Sequence, residues 1–236
     1  MMNSTFNRTP KDQVARAAKL AASILADVAG RRGALDGHIR PVAPGMRVCG
    51  PALTVEVRPG DNLMIHAALV LAQPGDVLVI DGKGDLSCAL MGELMCTHAR
   101  AAGIAGVVID GAVRDVAELR SGILPVFARG ASPNGPTKRL AGRIGHPVSV
   151  GEVAVAPGDL VVGDDDGVVI VPRGQVEQVL QDAGKKVDAE QKRLRDINEG
   201  RLIYGWLEGA LHEAGALSAG KSLEQAMAEF GVTAPG

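Results

Sequence analysis

Aromatic residues are nearly missing from this chain. They make up 2% of 236 residues, as three Phe, one Tyr and one Trp. A core of ordinary size must therefore be built from Val, Ile, Leu, Ala and Met. There are three cysteines, Cys49, Cys88 and Cys96, an odd number with no Cys-x-x-Cys pair. That excludes a disulfide framework and reads as small buried thiols in a reducing compartment. Cys96 is close to the motif described below but has no evident partner base. No apolar run approaches the roughly 18 residues of a membrane span, and charges interrupt the N-terminal region at Arg8, Lys11, Asp12, Arg16 and Lys19. A cytoplasmic protein with no membrane partner is expected. The net charge of −2, with Lys and Arg scattered, gives no basic stripe for nucleic acid.

Hydrophobic residues at 46% and charged residues at 22% fit a globular protein with a full core. The pattern predicts an amphipathic helix over 13–29, stopped by Gly30-Arg31-Arg32-Gly33. Short β-type runs alternate with Pro and Gly over 40–57. Pro-Gly-Asp then occurs at 59–61, 74–76 and 157–159. Pro followed by Gly suits a type II turn, because Gly accepts positive φ at its third position. The first copy precedes a helical pattern over 63–71. The second and third feed the apolar strands Val77-Leu78-Val79-Ile80 and Leu160-Val161-Val162.

Further along, Gly92 to Ala102 reads as a helix and 107–110 as a strand, with Arg114-Asp115 after a short turn at Gly111. Pro125-Val126-Phe127 is a strand and 131–139 a polar loop. Residues 160–171 form a hairpin turning at Asp164-Asp165-Asp166-Gly167, where Asp-Gly between Val-rich runs favours a turn over a calcium loop. A charged helix over 175–195 and two short helices complete the chain. The expectation is a layered α/β fold, with one domain over 1–175 and a helical arm over 176–236.

The segment from Gly92 to Asp115 carries the chemistry. A helix of about 11 residues at 1.5 Å per residue spans about the same distance as a strand of about 5 at 3.3 Å. Arg114 and Asp115 should therefore return to the helix start at Gly92. The first turn, Glu93 to Met95, offers unpaired N–H groups and the positive dipole end to a carboxylate, and Gly92 permits close approach to the backbone. Arg114 can grip an oxyacid through parallel hydrogen bonds. Asp115 is a hard ligand for Mg²⁺ or Mn²⁺, and Glu93 can hold a water on such an ion. An ordinary first-turn charge and an ordinary turn pair would leave the same letters.

Other candidates are poorer. The five histidines form no zinc pattern. His66, on an apolar helical face, reads as a hydrogen-bonded structural residue rather than a site wall. Lys138 is the nearest candidate for a Schiff-base lysine, but its polar loop would do little to lower its pKa. Tyr204 and Trp206, the only Tyr and Trp, read equally as interface anchors or as caps on the core.

Glu93, twenty residues, then Arg114-Asp115 resembles the acidic-x20-Arg-Asp signature of the RraA-like family, which includes class II pyruvate aldolases. The similarity extends over Gly30-Arg31-Arg32-Gly33, Pro59-Gly60-Asp61-Asn62, Met64-Ile65-His66, 74–79 and 164–169. It implies a β/β/α swivelling-type domain assembled as homotrimers or hexamers. It implies a lyase that cleaves a 4-hydroxy-2-oxo acid to pyruvate with Mg²⁺ or Mn²⁺. Oxaloacetate decarboxylation at the same site, or regulation of a ribonuclease without chemistry, are the alternatives it carries. Gly92, Glu93, Leu94 and Met95 would bind the pyruvate carboxylate, Arg114 the pyruvyl oxygen and Asp115 the metal. Glu93 and Glu118 would stand in the metal's outer shell. In the aldolases a neighbour's C-terminal glutamate approaches the metal waters, and Glu199 is the candidate for it here.

Overall fold

The computed structural model describes residues 1–232, so the last four positions of the expected 176–236 arm lie outside the described residues. In chain order the elements are α1 (Lys11–Ala17), α2 (Ala22–Val28), β1 (Arg40–Pro41), β2 (Val48–Glu56), α3 (Leu63–Leu71), β3 (Val77–Met91), α4 (Glu93–Ala101) and β4 (Gly106–Val113). They continue with α5 (Val116–Arg120), β5 (Val126–Ala131), β6 (Arg143–Ile144), β7 (Val148–Val150), β8 (Val153–Val155), β9 (Leu160–Asp164) and β10 (Gly167–Val171). A 3₁₀ turn then leads into α6 (Val176–Asn198), followed by α7 (Leu207–Glu213) and α8 (Leu223–Glu229). No described helix is long and apolar enough to cross a membrane.

The fold is mixed α/β. An eight-stranded sheet has the order β1-β5-β4-β3-β2-β9-β10, with β6 also paired to β2. Strands β2, β3, β4 and β5 run parallel. The helices α3, α4 and α5 connect them in turn, as parallel crossovers require. Side chains alternate along each strand and so separate two cores. Leu78, Ile80, Val107 and Ile109 pack with Met64, Ile65, Cys96 and Leu119 of the helices. Val77, Val79, Val108 and Phe127 pack on the other face with Val148, Val150 and Val155 of the β7–β8 hairpin. The layers are thus β/β/α.

All three Pro-Gly-Asp turns have their glycine at positive φ, at Gly60, Gly75 and Gly158. Each turn aspartate is also buried and accepts backbone N–H groups nearby: Asp61 from Leu63, Asp76 from Gln73 and Asp159 from Ala156. Gly33, at φ +90°, lies so close to β10 that an added Cβ would stand 2.2 Å from the Ile170 carbonyl oxygen.

Two local expectations are corrected. The helix expected over 13–29 is two helices, because the Asp164 carboxylate accepts from Ala22 N–H at 2.8 Å and starts α2 afresh. Gly111 is not a turn, since β4 runs through it to Val113. In addition, β3 continues far beyond Ile80. Asp81 faces Asp110 and Met91 faces Val113, so β3 carries a long bulge between them. Lys83 and Gly84 turn there at positive φ, and Asp81 binds both the Lys83 amide and its ammonium.

The chain forms two compact units, Met1–Gly184 and Lys185–Gly236. Within the second, Arg193 donates to the carbonyls of Arg201 and Leu202 and lies 3.8 Å from the Tyr204 ring centroid. Tyr204 and Trp206 are 5.2 Å apart, and Trp206 is 63% exposed. A capping box between Ser222 and Gln225 starts α8.

Candidate functional site

The site forms at the carboxyl ends of β3 and β4, where open parallel sheets generally bind ligands. Met91 and Val113 are register partners, so the residues that follow them leave the sheet side by side. Arg114 N–H donates to the Met91 carbonyl at 2.9 Å, and Glu93 N–H donates to Asp115 Oδ2 at 2.9 Å. Gly92, Arg114 and Asp115 therefore meet. Asp115 has φ 55° and ψ 44°, a left-handed conformation that Asp tolerates better than most residues. It serves as the N-cap residue of α5 while its side chain caps α4.

Gly92 is needed for a reason other than ligand approach. A Cβ there would stand 2.3 Å from Asp115 Oδ2 and 2.8 Å from Arg114 Cγ. The space opposite Gly92 is filled by the Asp115 and Arg114 side chains themselves. The α4 ladder starts with Cys96 N–H to the Gly92 carbonyl at 3.0 Å. The Leu94 and Met95 amides precede it and have no intrahelical acceptor, which leaves them free for an anion.

These residues wall an open cleft of about 230 Å³. Its other walls come from Asn62 and His66 at the start of α3, from Ala89 and Leu90, and from Gly135, Pro136 and Lys138. Asp61 places that last loop. Its buried carboxylate accepts from Thr137 Oγ1 and from the Arg139 and Leu140 amides. Burial pushes the Asp61 carboxyl up, but the bonds from Thr137, Arg139, Leu63 and Leu140 outweigh it and leave the pKa lowered. Asn134 also accepts from Ala89 N–H through its carbonyl, which joins the loop to the β3 bulge.

The cleft holds two cations, Arg114 and Lys138, beside one carboxylate, Asp115. Arg114 Nε lies 3.7 Å from Asp115 Oδ2 with both side chains more than a third exposed, so the pair adds little stability and both groups stay available. Cys96 is fully buried and its thiol is pushed up to about 12, by burial first and by Asp115 second, so it is no nucleophile at neutral pH.

The donor set suits a hard cation bound largely through water. Asp115 Oδ2 is taken by the Glu93 amide, while Oδ1 has no protein partner among the described residues. No three His, Cys, Asp or Glu side chains converge among the described residues. A divalent ion at Asp115 would complete its shell with water and substrate oxygens, as Mg²⁺ commonly does. Glu93 is exposed and is not among the residues of the cleft wall, where its contribution is its amide. Glu118 is exposed on α5. Glu199 belongs to the second unit and pairs with Arg201 at 2.5 Å.

One residue stands elsewhere than the sequence places it. His66 is on the cleft wall and its Nε2 has no hydrogen-bond partner, so it is not the satisfied core histidine expected. Lys138, in the polar loop expected for it, also lines the cleft, and Asp61 binds the residues on either side of it. Asn62, 3% exposed, also lines the cleft, a place that the Pro-Gly-Asp-Asn motif alone does not assign to it. Its position directly after Pro59-Gly60-Asp61, ahead of a helical pattern, is the sequence signal for it.

Comparison with known proteins places the chain in a family. Residues 14–170 match the RraA-like family model, described as Aldolase/RraA. A protein of Halalkalibacterium halodurans, named as a candidate 4-hydroxy-4-methyl-2-oxoglutarate aldolase, is 43% identical over 75% of this chain and 85% of its own length. A Burkholderia multivorans protein with the same name is 41% identical over 60% of this chain and 86% of its own. The solved structure of Streptomyces coelicolor RraAS2, described as an unusual member of the RNase ES inhibitor RraA family, superposes with a TM-score of 0.74 at 28% identity. It covers 80% of this chain and 98% of that one. With a family model covering most of its first unit and an aldolase-named relative at this identity, the chain belongs to the RraA-like family.

Proposed function

We propose that this protein is a divalent-metal-dependent lyase that cleaves a 4-hydroxy-2-oxo acid to pyruvate and a second oxo acid. The observation that carries the reading is the meeting of the α4 N-terminus, Arg114 and Asp115 in one cleft. In this reading the Leu94 and Met95 amides hold the carboxylate next to the oxo group, helped by the positive end of α4. Arg114 donates to the 2-oxo oxygen and stabilises the negative charge that collects there as the C3–C4 bond breaks. The C4 hydroxyl gives its proton to water ordered beside Asp115, and C3 of the enolate takes one back from it. Asp115 would hold Mg²⁺ or Mn²⁺, which supplies Lewis-acid polarisation of the oxo acid when bound. The Glu93 amide fixes the Asp115 carboxylate, and the exposed Glu93 and Glu118 side chains are the groups proposed to order water around it. Glu199 is the group proposed to reach the site from a neighbouring subunit, with the 176–236 arm packing on that neighbour in a trimer or hexamer. The exposure of Tyr204 and Trp206 supports such a contact. A cytoplasmic setting is part of this proposal and rests on the odd cysteine count of the sequence.

Oxaloacetate decarboxylation requires the same charge stabilisation and no hydroxyl, so it is proposed as a side activity of this cleft. A second reading, a ribonuclease-binding regulator, is supported by the description of the Streptomyces coelicolor neighbour. A coupled pyruvate-release assay over several 4-hydroxy-2-oxo acids and oxaloacetate separates the two. The lyase reading requires pyruvate that disappears with chelator and returns with Mg²⁺ or Mn²⁺. No metal-dependent pyruvate from any substrate refutes it and leaves the regulator.

A further inference from the structure

The α3 wall of the cleft carries two polar atoms with nothing to bind. Asn62 Oδ1 and His66 Nε2 are buried and have no hydrogen-bond partner. Unsatisfied buried polar atoms are uncommon in folded proteins and cost free energy until something meets them. The two residues are four apart at the start of α3, where the His66 amide bonds the Asn62 carbonyl, so they share one face. Asn62 is 3% exposed, and its Nδ2 donates to the Leu90 carbonyl at 2.9 Å. That bond orients the amide and leaves Oδ1 as the free acceptor. Both residues line the same cleft as Arg114 and Asp115.

We infer that Asn62 and His66 form the subsite for the hydroxyl group of the substrate. The inference rests on the lyase reading and says which part of the substrate the α3 wall recognises. A hydroxyl has one donor and two acceptor sites. Its O–H can donate to Asn62 Oδ1 while its oxygen accepts from His66 Nε2–H, so one small group satisfies both atoms. The imidazole is suited to this as a neutral ring. Burial lowers the His66 pKa, and the charges of Lys138 and His98 lower it further. Arg114 and the α4 amides would then hold the oxo-acid end, and α3 the hydroxyl end. A site built around a hydroxyl discriminates strongly against the analogue that lacks it, because the site's own polar groups are left unpaired. The subsite thus selects hydroxylated oxo acids over oxaloacetate.

Binding tests this without turnover. The full chain, with no divalent ion added, is titrated calorimetrically with 4-hydroxy-2-oxoglutarate and with 2-oxoglutarate, which differ by the hydroxyl alone. Wild type should prefer the hydroxylated acid by roughly tenfold or more. His66→Leu should reduce that preference to about twofold, and His66→Gln, which keeps a polar end, should restore part of it. Thermal unfolding of each variant reports whether the fold is kept. No preference in wild type, or a preference that survives His66→Leu, overturns the subsite. An equal weakening of both acids by His66→Leu assigns the orphan atoms to structural water instead and also overturns it. A preference that is present and His66-dependent in a protein that releases no pyruvate refutes the lyase reading while the subsite stands.

Discussion

Gly92→Ala offers a sharp perturbation of this site. The backbone at Gly92 has φ −152°, which any residue adopts, so the substitution adds no backbone strain. Its effect is steric. The new Cβ would stand 2.3 Å from Asp115 Oδ2, and ordinary contact begins at 3.4 Å, so the carboxylate must retreat by roughly 1 Å. That stretches the 2.9 Å bond from Glu93 N–H beyond hydrogen-bonding range. Losing one helix-capping bond costs about 1 kcal/mol, which lowers Tm by about 2–4 °C in a chain of this size. Catalysis should suffer far more. A 1 Å misplacement of a group that positions the reaction can cost about 10²-fold in rate. The assay is kcat/KM for metal-dependent pyruvate release, measured beside thermal unfolding. The expected result is a loss of about 100-fold with a fold nearly as stable as wild type. Activity within a few-fold of wild type would refute the argument that Gly92 exists to admit Asp115. A collapse of Tm by tens of degrees would show that Gly92 serves the fold rather than the site.

Asp115→Asn keeps an acceptor for the Glu93 amide and tolerates left-handed φ, so Tm should move little while metal-dependent pyruvate release is lost; retained turnover would remove Asp115 from the reaction. Asp61→Asn places amide hydrogens where four donors converge on the carboxylate, and should cost about 1–3 kcal/mol in denaturant unfolding. Because the folded Asp61 pKa is lowered, its contribution to stability is full above the unfolded value and is lost as pH falls through the folded one. Stability measured below about pH 4 should therefore fall less steeply in the variant than in wild type. Gly33→Ala combines φ +90° with a 2.2 Å approach to the Ile170 carbonyl, and should lower stability by about 3 kcal/mol or more without touching the cleft.

What could be read from the sequence was set by local spacing. The three Pro-Gly-Asp turns, the Asp-Gly hairpin and the return of Arg114 to the start of α4 depend on short segments, and the structure has them. Distant partners decided the rest. The break between α1 and α2 is set by Asp164, which is far off in sequence. The β3 bulge is pinned by Asp81 within the strand and by Asn134 outside it. Lys138 reaches the cleft because Asp61 binds the loop that carries it. His66 on an apolar helical face looked like core, since periodicity records which face is buried and not whether a polar atom there finds a partner. The second face of the site, α3 with the 134–138 loop, was hidden for that reason.

The central claim is that the α4 N-terminus and Arg114 together hold a 2-oxo acid. Calorimetric titration of pyruvate into wild type and Arg114→Ala, both with Mg²⁺ present, tests it most directly. The account predicts saturable binding to wild type that weakens by at least about tenfold in the variant, the loss expected for a charge-assisted contact. Equal affinity in the two proteins, or no binding to either, would contradict it.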